Sequence, residues 1–169
     1  MTNLRLDHVV VVVDDLAAAT AFFLELGMEV EGTAPIEGAW LDRVNGLDDV
    51  KVDVALLRTP DGQGKLELTA FRSPALVDAT PHPAPPNVLG LRSVMFEVDD
   101  VDDVVARLQP HGGERIGEIE QYEDQYRLCY LRGPAGIIVA LAESLGGHDA
   151  DADTTSMTPA PVDGQVYGG

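Results

Sequence analysis

The sequence predicts an α+β fold built from two tandem βαβββ modules, and three observations carry that prediction. An apolar, β-branched run ending in paired aspartates occurs twice, as Val9-Val10-Val11-Val12-Val13-Asp14-Asp15 and as Val94-Met95-Phe96-Glu97-Val98-Asp99-Asp100. Each copy is followed by apolar residues at helical spacing and then by a glycine. Each half closes on a glycine-containing turn that leads into another strand-like run. One shared dipeptide is a coincidence, but the same grammar twice in the same order is the mark of duplication.

Taken in order, Leu6 to Val13 reads as a strand because β-branched side chains suit a pleated, half-buried surface. Asp14-Asp15 then supplies a helix cap, since an aspartate side chain accepts from the otherwise unpaired first-turn N–H groups. Leu16, Ala19, Phe23 and Leu26 lie on one helical face, and Gly27 stands where a left-handed C-terminal residue belongs. Met28 to Thr33 is a weaker strand candidate and Val50 to Leu57 a stronger one. The turn Thr59-Pro60-Asp61-Gly62 leads into a strand at Lys65-Leu66-Glu67-Leu68. A shift of 85 residues carries Asp14 to Asp99, Asp15 to Asp100 and Gly27 to Gly112, with Val101, Val104 and Leu108 on the second helix. Strand candidates follow at Ile116 to Gln121 and Tyr126 to Leu131. Gly133-Pro134-Ala135-Gly136 then leads into Ile138-Val139-Ala140-Leu141. The expected organisation is one domain over residues 1–145, with module one at 4–71, a linker at 72–90 and module two at 91–145. The linker carries Pro74, Pro81, Pro83, Pro85 and Pro86, which disfavours regular structure. Residues 146–169, rich in Gly, Asp, Thr and Pro, are expected to form a disordered acidic tail.

Composition excludes several functions. With 169 residues the chain is long enough to bury a core without staples, and its single cysteine, Cys129, cannot form an intrachain disulfide. The longest uninterrupted run of β-branched apolar residues, Val9 to Val13, is far too short to span a bilayer, and no basic region precedes an apolar signal core. A soluble, cytoplasmic protein is expected. Eleven Lys+Arg against 29 Asp+Glu give a formal net charge of −18, which repels nucleic acid and anionic lipid surfaces. The expected partners are a small-molecule substrate or ligand and, optionally, a second copy in a homodimer.

His8 in a strand that runs into Asp-Asp, the echo at Val94 to Asp100, and the ending Gly-Pro-Ala-Gly-Ile-Ile-Val-Ala-Leu-Ala-Glu resemble the vicinal oxygen chelate superfamily of glyoxalases, bleomycin-resistance proteins and extradiol dioxygenases. The resemblance covers residues 4 to 145. It implies a curved mixed sheet around one cleft, with metal ligands supplied by the first and fourth strands of each module. Carried over by position, those ligands fall on His8 and Glu67 in module one and on Ser93 and Ala140 in module two. The last two depart from the pattern, which commonly has His and Glu there. A catalytic metal centre usually keeps three protein ligands and one open position. A divalent cofactor (Zn, Ni, Mn, Co or Fe) is therefore expected to be held weakly, through His8 and Glu67.

Glu67 is also the candidate catalytic base, because a carboxylate between Leu66 and Leu68 is costly to bury without a partner. Ser93 and Glu97 share a strand face with Met95 and are candidate substrate-binding residues. Arg127 is a third, since a guanidinium suits a substrate carboxylate or phosphate; pairing with Asp53, Glu123 or Asp124 is the competing expectation. Three functions follow from the resemblance. One is a glyoxalase I-like or methylmalonyl-CoA epimerase-like lyase or isomerase with an incomplete metal site. The alternative is a metal-free small-molecule-binding protein of the bleomycin-resistance type. Extradiol dioxygenase activity, which needs two histidines and a carboxylate around iron, is disfavoured by Ser93.

Overall fold

A computed structural model describes residues 5–78 and 84–146. The expected tail lies, but for Gly146, outside the described residues, as does the middle of the proline-rich linker. Module one contains β1 (Val9–Val12), α1 (Leu16–Leu26), β2 (Glu29–Glu37), α2 (Ala39–Asn45), β3 (Lys51–Arg58) and β4 (Lys65–Ser73). Module two contains β5 (Ser93–Val98), α3 (Val101–Leu108), β6 (Glu114–Tyr122), β7 (Tyr126–Arg132) and β8 (Ile138–Ser144).

The duplicated aspartates do what their positions require. Asp15 Oδ1 accepts from the Ala18 N–H at 2.9 Å and Asp100 Oδ1 from the Asp103 N–H at 3.0 Å, so both helices start on the same device. Gly27 ends α1 with φ 118°, a conformation in which any Cβ is strained. Gly112, at φ 86°, plays the same part after a short 3-10 turn that follows α3.

The strands form two four-stranded sheets in the same order, β1-β4-β3-β2 and β5-β8-β7-β6. In each sheet the first strand pairs parallel with the last and the other neighbours are antiparallel. The two sheets are separate and neither is closed, one for each of the two tandem modules expected. α1 and α3 pack between them. Phe22, Phe23 and Leu26 of α1 join Val101, Val104 and Leu108 of α3, Leu57, Leu66 and Leu68 of the first sheet, and Leu131, Val139 and Leu141 of the second in one buried cluster. Each fully buried Leu or Phe contributes roughly 1.5–3 kcal/mol over its exposed state, so this shared cluster joins the halves into one body. Arg107 of α3 adds a polar tie, donating to the Glu25 backbone carbonyl and, at 3.2 Å, to its carboxylate on α1.

Several boundaries differ from expectation. β1 begins at Val9 rather than Leu6, because its parallel ladder starts at the Val9–Leu66 pair. β2 reaches Glu37, since its pairing with β3 continues to Lys51. β4 runs to Ser73, into the expected linker, and stops where Pro74 has no N–H to donate. α2 was not expected. It is bracketed by Gly38 and Gly46, and its Leu41 covers a second cluster of Val50, Val52 and Val54. Asp42 ties it down by accepting the Val50 N–H at 2.7 Å. Among the described residues no helix is long and apolar enough to cross a membrane.

Candidate functional site

Strand alternation sorts the residues of β1. Val11 and Val13 are buried toward the helices, whereas His8, Val10 and Val12 turn to the opposite face, where the two valines are about half exposed (48% and 46%). The parallel register sets Val10 against Glu67 on β4, and Leu56 of β3 lies across from the same glutamate. His8 and Glu67 therefore meet, with Nε2 and Oε2 3.7 Å apart. Both remain partly open, their side chains 32% and 27% exposed.

Two neighbours hold this pair. His8 Nδ1 lies 2.8 Å from Asp7 Oδ2, and the Thr69 hydroxyl donates to Glu67 Oε1 at 2.9 Å. The imidazole thus stands between two carboxylates. The hydrogen bond to His8 keeps the Asp7 carboxyl below the usual aspartate range. Asp7 and Thr69 were missed by sequence reasoning. The available signals were modest: Asp7 directly precedes His8, and Thr69 follows Glu67 by two residues, on the same strand face.

The module-two positions are of another kind. Ser93 is exposed at the first residue of β5, whereas Ala140 is fully buried, flanked by Met95 and Tyr130 in the ladder. Ser93, Met95 and Glu97 do share the exposed face of β5. Glu97, however, lines a cavity of about 830 Å³ with Met95, Asp99 and Asp103, alongside Gly27 and Asp61 of module one. That lining includes neither His8 nor Glu67.

Arg127, a candidate substrate ligand, is held by two carboxylates. Its Nη2 donates to Asp102 at 2.6 Å and its Nη1 to Glu143 at 3.1 Å, while Glu143 also accepts the Val101 N–H at 3.0 Å. The guanidinium clamps the start of α3 to the second sheet, on the helix side rather than the open face. The hydrogen bond to Asp102 raises its pKa above the arginine norm. None of the expected alternatives is its ion-pair partner; Asp53 instead pairs with Arg72 at 3.2 Å. Cys129 is buried, and burial pushes its thiol pKa up.

The donor chemistry tests a resident metal. His8 and Glu67 are competent ligands, Ser93 offers a neutral hydroxyl, and Ala140 offers nothing. That is below the three protein ligands a catalytic divalent ion usually keeps. Among the described residues no three His, Cys, Asp or Glu side chains gather into a group that could hold a metal ion. These residues do not fit a tightly held cofactor.

Two βαβββ modules, with His8 just before β1 facing Glu67 on β4, make this a protein of the duplicated-module α+β class. The family model described as the Glyoxalase/Bleomycin resistance protein/Dioxygenase superfamily matches residues 5–141, and the chain belongs to that superfamily. A glyoxalase family protein from Bacillus cereus is 47% identical, with a TM-score of 0.81, over 86% of this chain and 97% of that one. The protein YaeR of Escherichia coli (strain K12) is 28% identical over 82% of this chain and 95% of its own length. A glyoxalase I mutant from Zea mays shares the fold at 19% identity and a TM-score of 0.61, over 82% of this chain and 45% of that one.

Proposed function

We propose that this chain is a small-molecule-binding protein that uses the open sheet faces of its two modules without a resident metal. The observation that carries this reading is the donor set: two of the four positions that would hold a metal are Ser93 and the fully buried Ala140. The remaining two, His8 and Glu67, partner each other at 3.7 Å. The test is metal content and metal response. Protein purified without chelators should carry far less than one metal per chain, and added Zn²⁺, Ni²⁺ or Mn²⁺ should leave its melting temperature unchanged. One tightly bound metal per chain would overturn the reading.

One observation favours a second reading, a lyase or isomerase of the glyoxalase or epimerase type. Glu67 is partly exposed and oriented by the Thr69 hydroxyl, which suits a carboxylate that takes a proton from a carbon next to a carbonyl. Glu67→Gln separates the two, since it abolishes proton transfer but leaves simple binding within a few-fold.

A further inference from the structure

Where module one meets module two, a cavity of about 280 Å³ opens between β1 and Leu91 and Arg92, just before β5. Among the described residues its lining mixes polar groups with the side chains of Val10, Val12, Val77, Leu91 and Ile137. Arg92 also lines it, and its Nε is buried with no hydrogen-bond acceptor among the described residues. Its Nη2 folds back toward Gly90, where an added Cβ would lie 3.8 Å away. A buried guanidinium N–H with no acceptor is costly, because it has given up water and gained nothing. Arg127 and Arg107 show the alternative in the same module, each held by two carboxylates.

We infer that this junction cavity binds a small apolar monocarboxylate, whose carboxylate accepts from Arg92 while its hydrocarbon body lies against Val10, Val12, Leu91 and Ile137. A guanidinium selects a planar oxyanion, to which it presents parallel N–H groups. The charge of that anion is set by the surroundings. The chain carries a formal net charge of −18, so a second negative charge on the ligand is repelled. A carboxylate fits this balance better than a phosphate dianion. The volume, at the lower end for ligand sites, limits the body to a short aliphatic or single-ring group. This site uses none of the four metal-ligand positions, and so stands whether or not His8 and Glu67 recruit a metal.

The experiment is a calorimetric titration of the full chain with 4-methylpentanoate and phenylacetate, each beside its primary amide, and with inorganic phosphate. The acids should bind at least about tenfold more tightly than the amides, the order of one charge-assisted hydrogen-bonded pair. Arg92→Gln should erase the difference between acid and amide, and Arg92→Lys should keep part of it. Arg92→Gln removes an unpaired buried N–H, so its melting temperature should not fall. Val10→Phe, which fills the cavity from β1, should weaken acid and amide together and provides the check if Arg92→Gln fails to fold. Equal binding of acid and amide, an acid preference that survives Arg92→Gln, phosphate binding as tight as that of the acids, or no binding at millimolar concentration would each overturn the inference.

Discussion

Restoring the missing ligands is the sharpest test of the metal-free reading, and the structure assigns different costs to the two substitutions. Ser93 is exposed, so Ser93→His adds an imidazole without displacing packed atoms. Ala140 is fully buried, so Ala140→Glu forces a larger, charged side chain among close neighbours. Overpacking of that kind costs about 1–3 kcal/mol, and an unpaired buried carboxylate adds to it. In a domain of this size each kcal/mol shifts the melting temperature by roughly 2–4 °C. Without metal, Ser93→His should therefore melt near the parent and the double variant clearly below it. A metal that binds only the folded state stabilises it by about 2.7 kcal/mol at a hundredfold excess over Kd. Added Zn²⁺ or Ni²⁺ should then raise the melting point of both variants by roughly 5–10 °C, read by scanning calorimetry, with the parent unmoved. If neither variant responds, the four positions do not converge on one ion and the site assignment fails. A parent that responds as strongly as the variants refutes the metal-free reading.

The other predictions concern the scaffold. Asp100→Ala removes the cap on α3 and should cost about 1 kcal/mol, seen as a lower urea midpoint with an unchanged slope. Arg127→Met should lower the melting temperature only slightly, because its ion pairs are partly solvated, and should leave ligand affinity unchanged; a large loss of affinity would make Arg127 a ligand contact. Hydrogen bonds hold the Asp7, Asp49 and Asp61 carboxyls below their ordinary range, so the unfolded chain binds protons more readily than the folded one. Stability from these groups is present above their unfolded pKa of about 3.9 and is lost as pH falls below it, which urea midpoints between pH 3 and 7 would register. Native Cys129 should resist thiol reagents until the chain unfolds, because it is buried with its pKa raised.

Residues that act through local chemistry were legible in the sequence. The Asp15 and Asp100 caps, the Gly27 and Gly112 stops, the apolar helical faces and the duplicated strand order all follow from near neighbours in the chain, and repetition confirmed them. His8 and Glu67 came from the resemblance to the superfamily, whose ligand positions fall on them, and the structure sets their side chains 3.7 Å apart. α2 escaped because a helix of this length shows too little periodicity, and its exposed Trp40 and Val44 break the amphipathic pattern.

What the sequence by itself determined is thus the two modules and the departure of Ser93 and Ala140 from the superfamily pattern. Only the tertiary structure decided which face each side chain takes and which distant groups meet it there. Alternation along β7 places Arg127 toward α3, where Asp102 and Glu143, 25 and 16 residues away in the chain, capture it. Arg92 gave no sequence signal, and its significance arises only where the segment before β5 lines a cavity with β1 and its Nε–H finds no acceptor among the described residues. Local propensity is written in consecutive residues, whereas pairing and burial depend on how two modules pack, and no short stretch of chain records that.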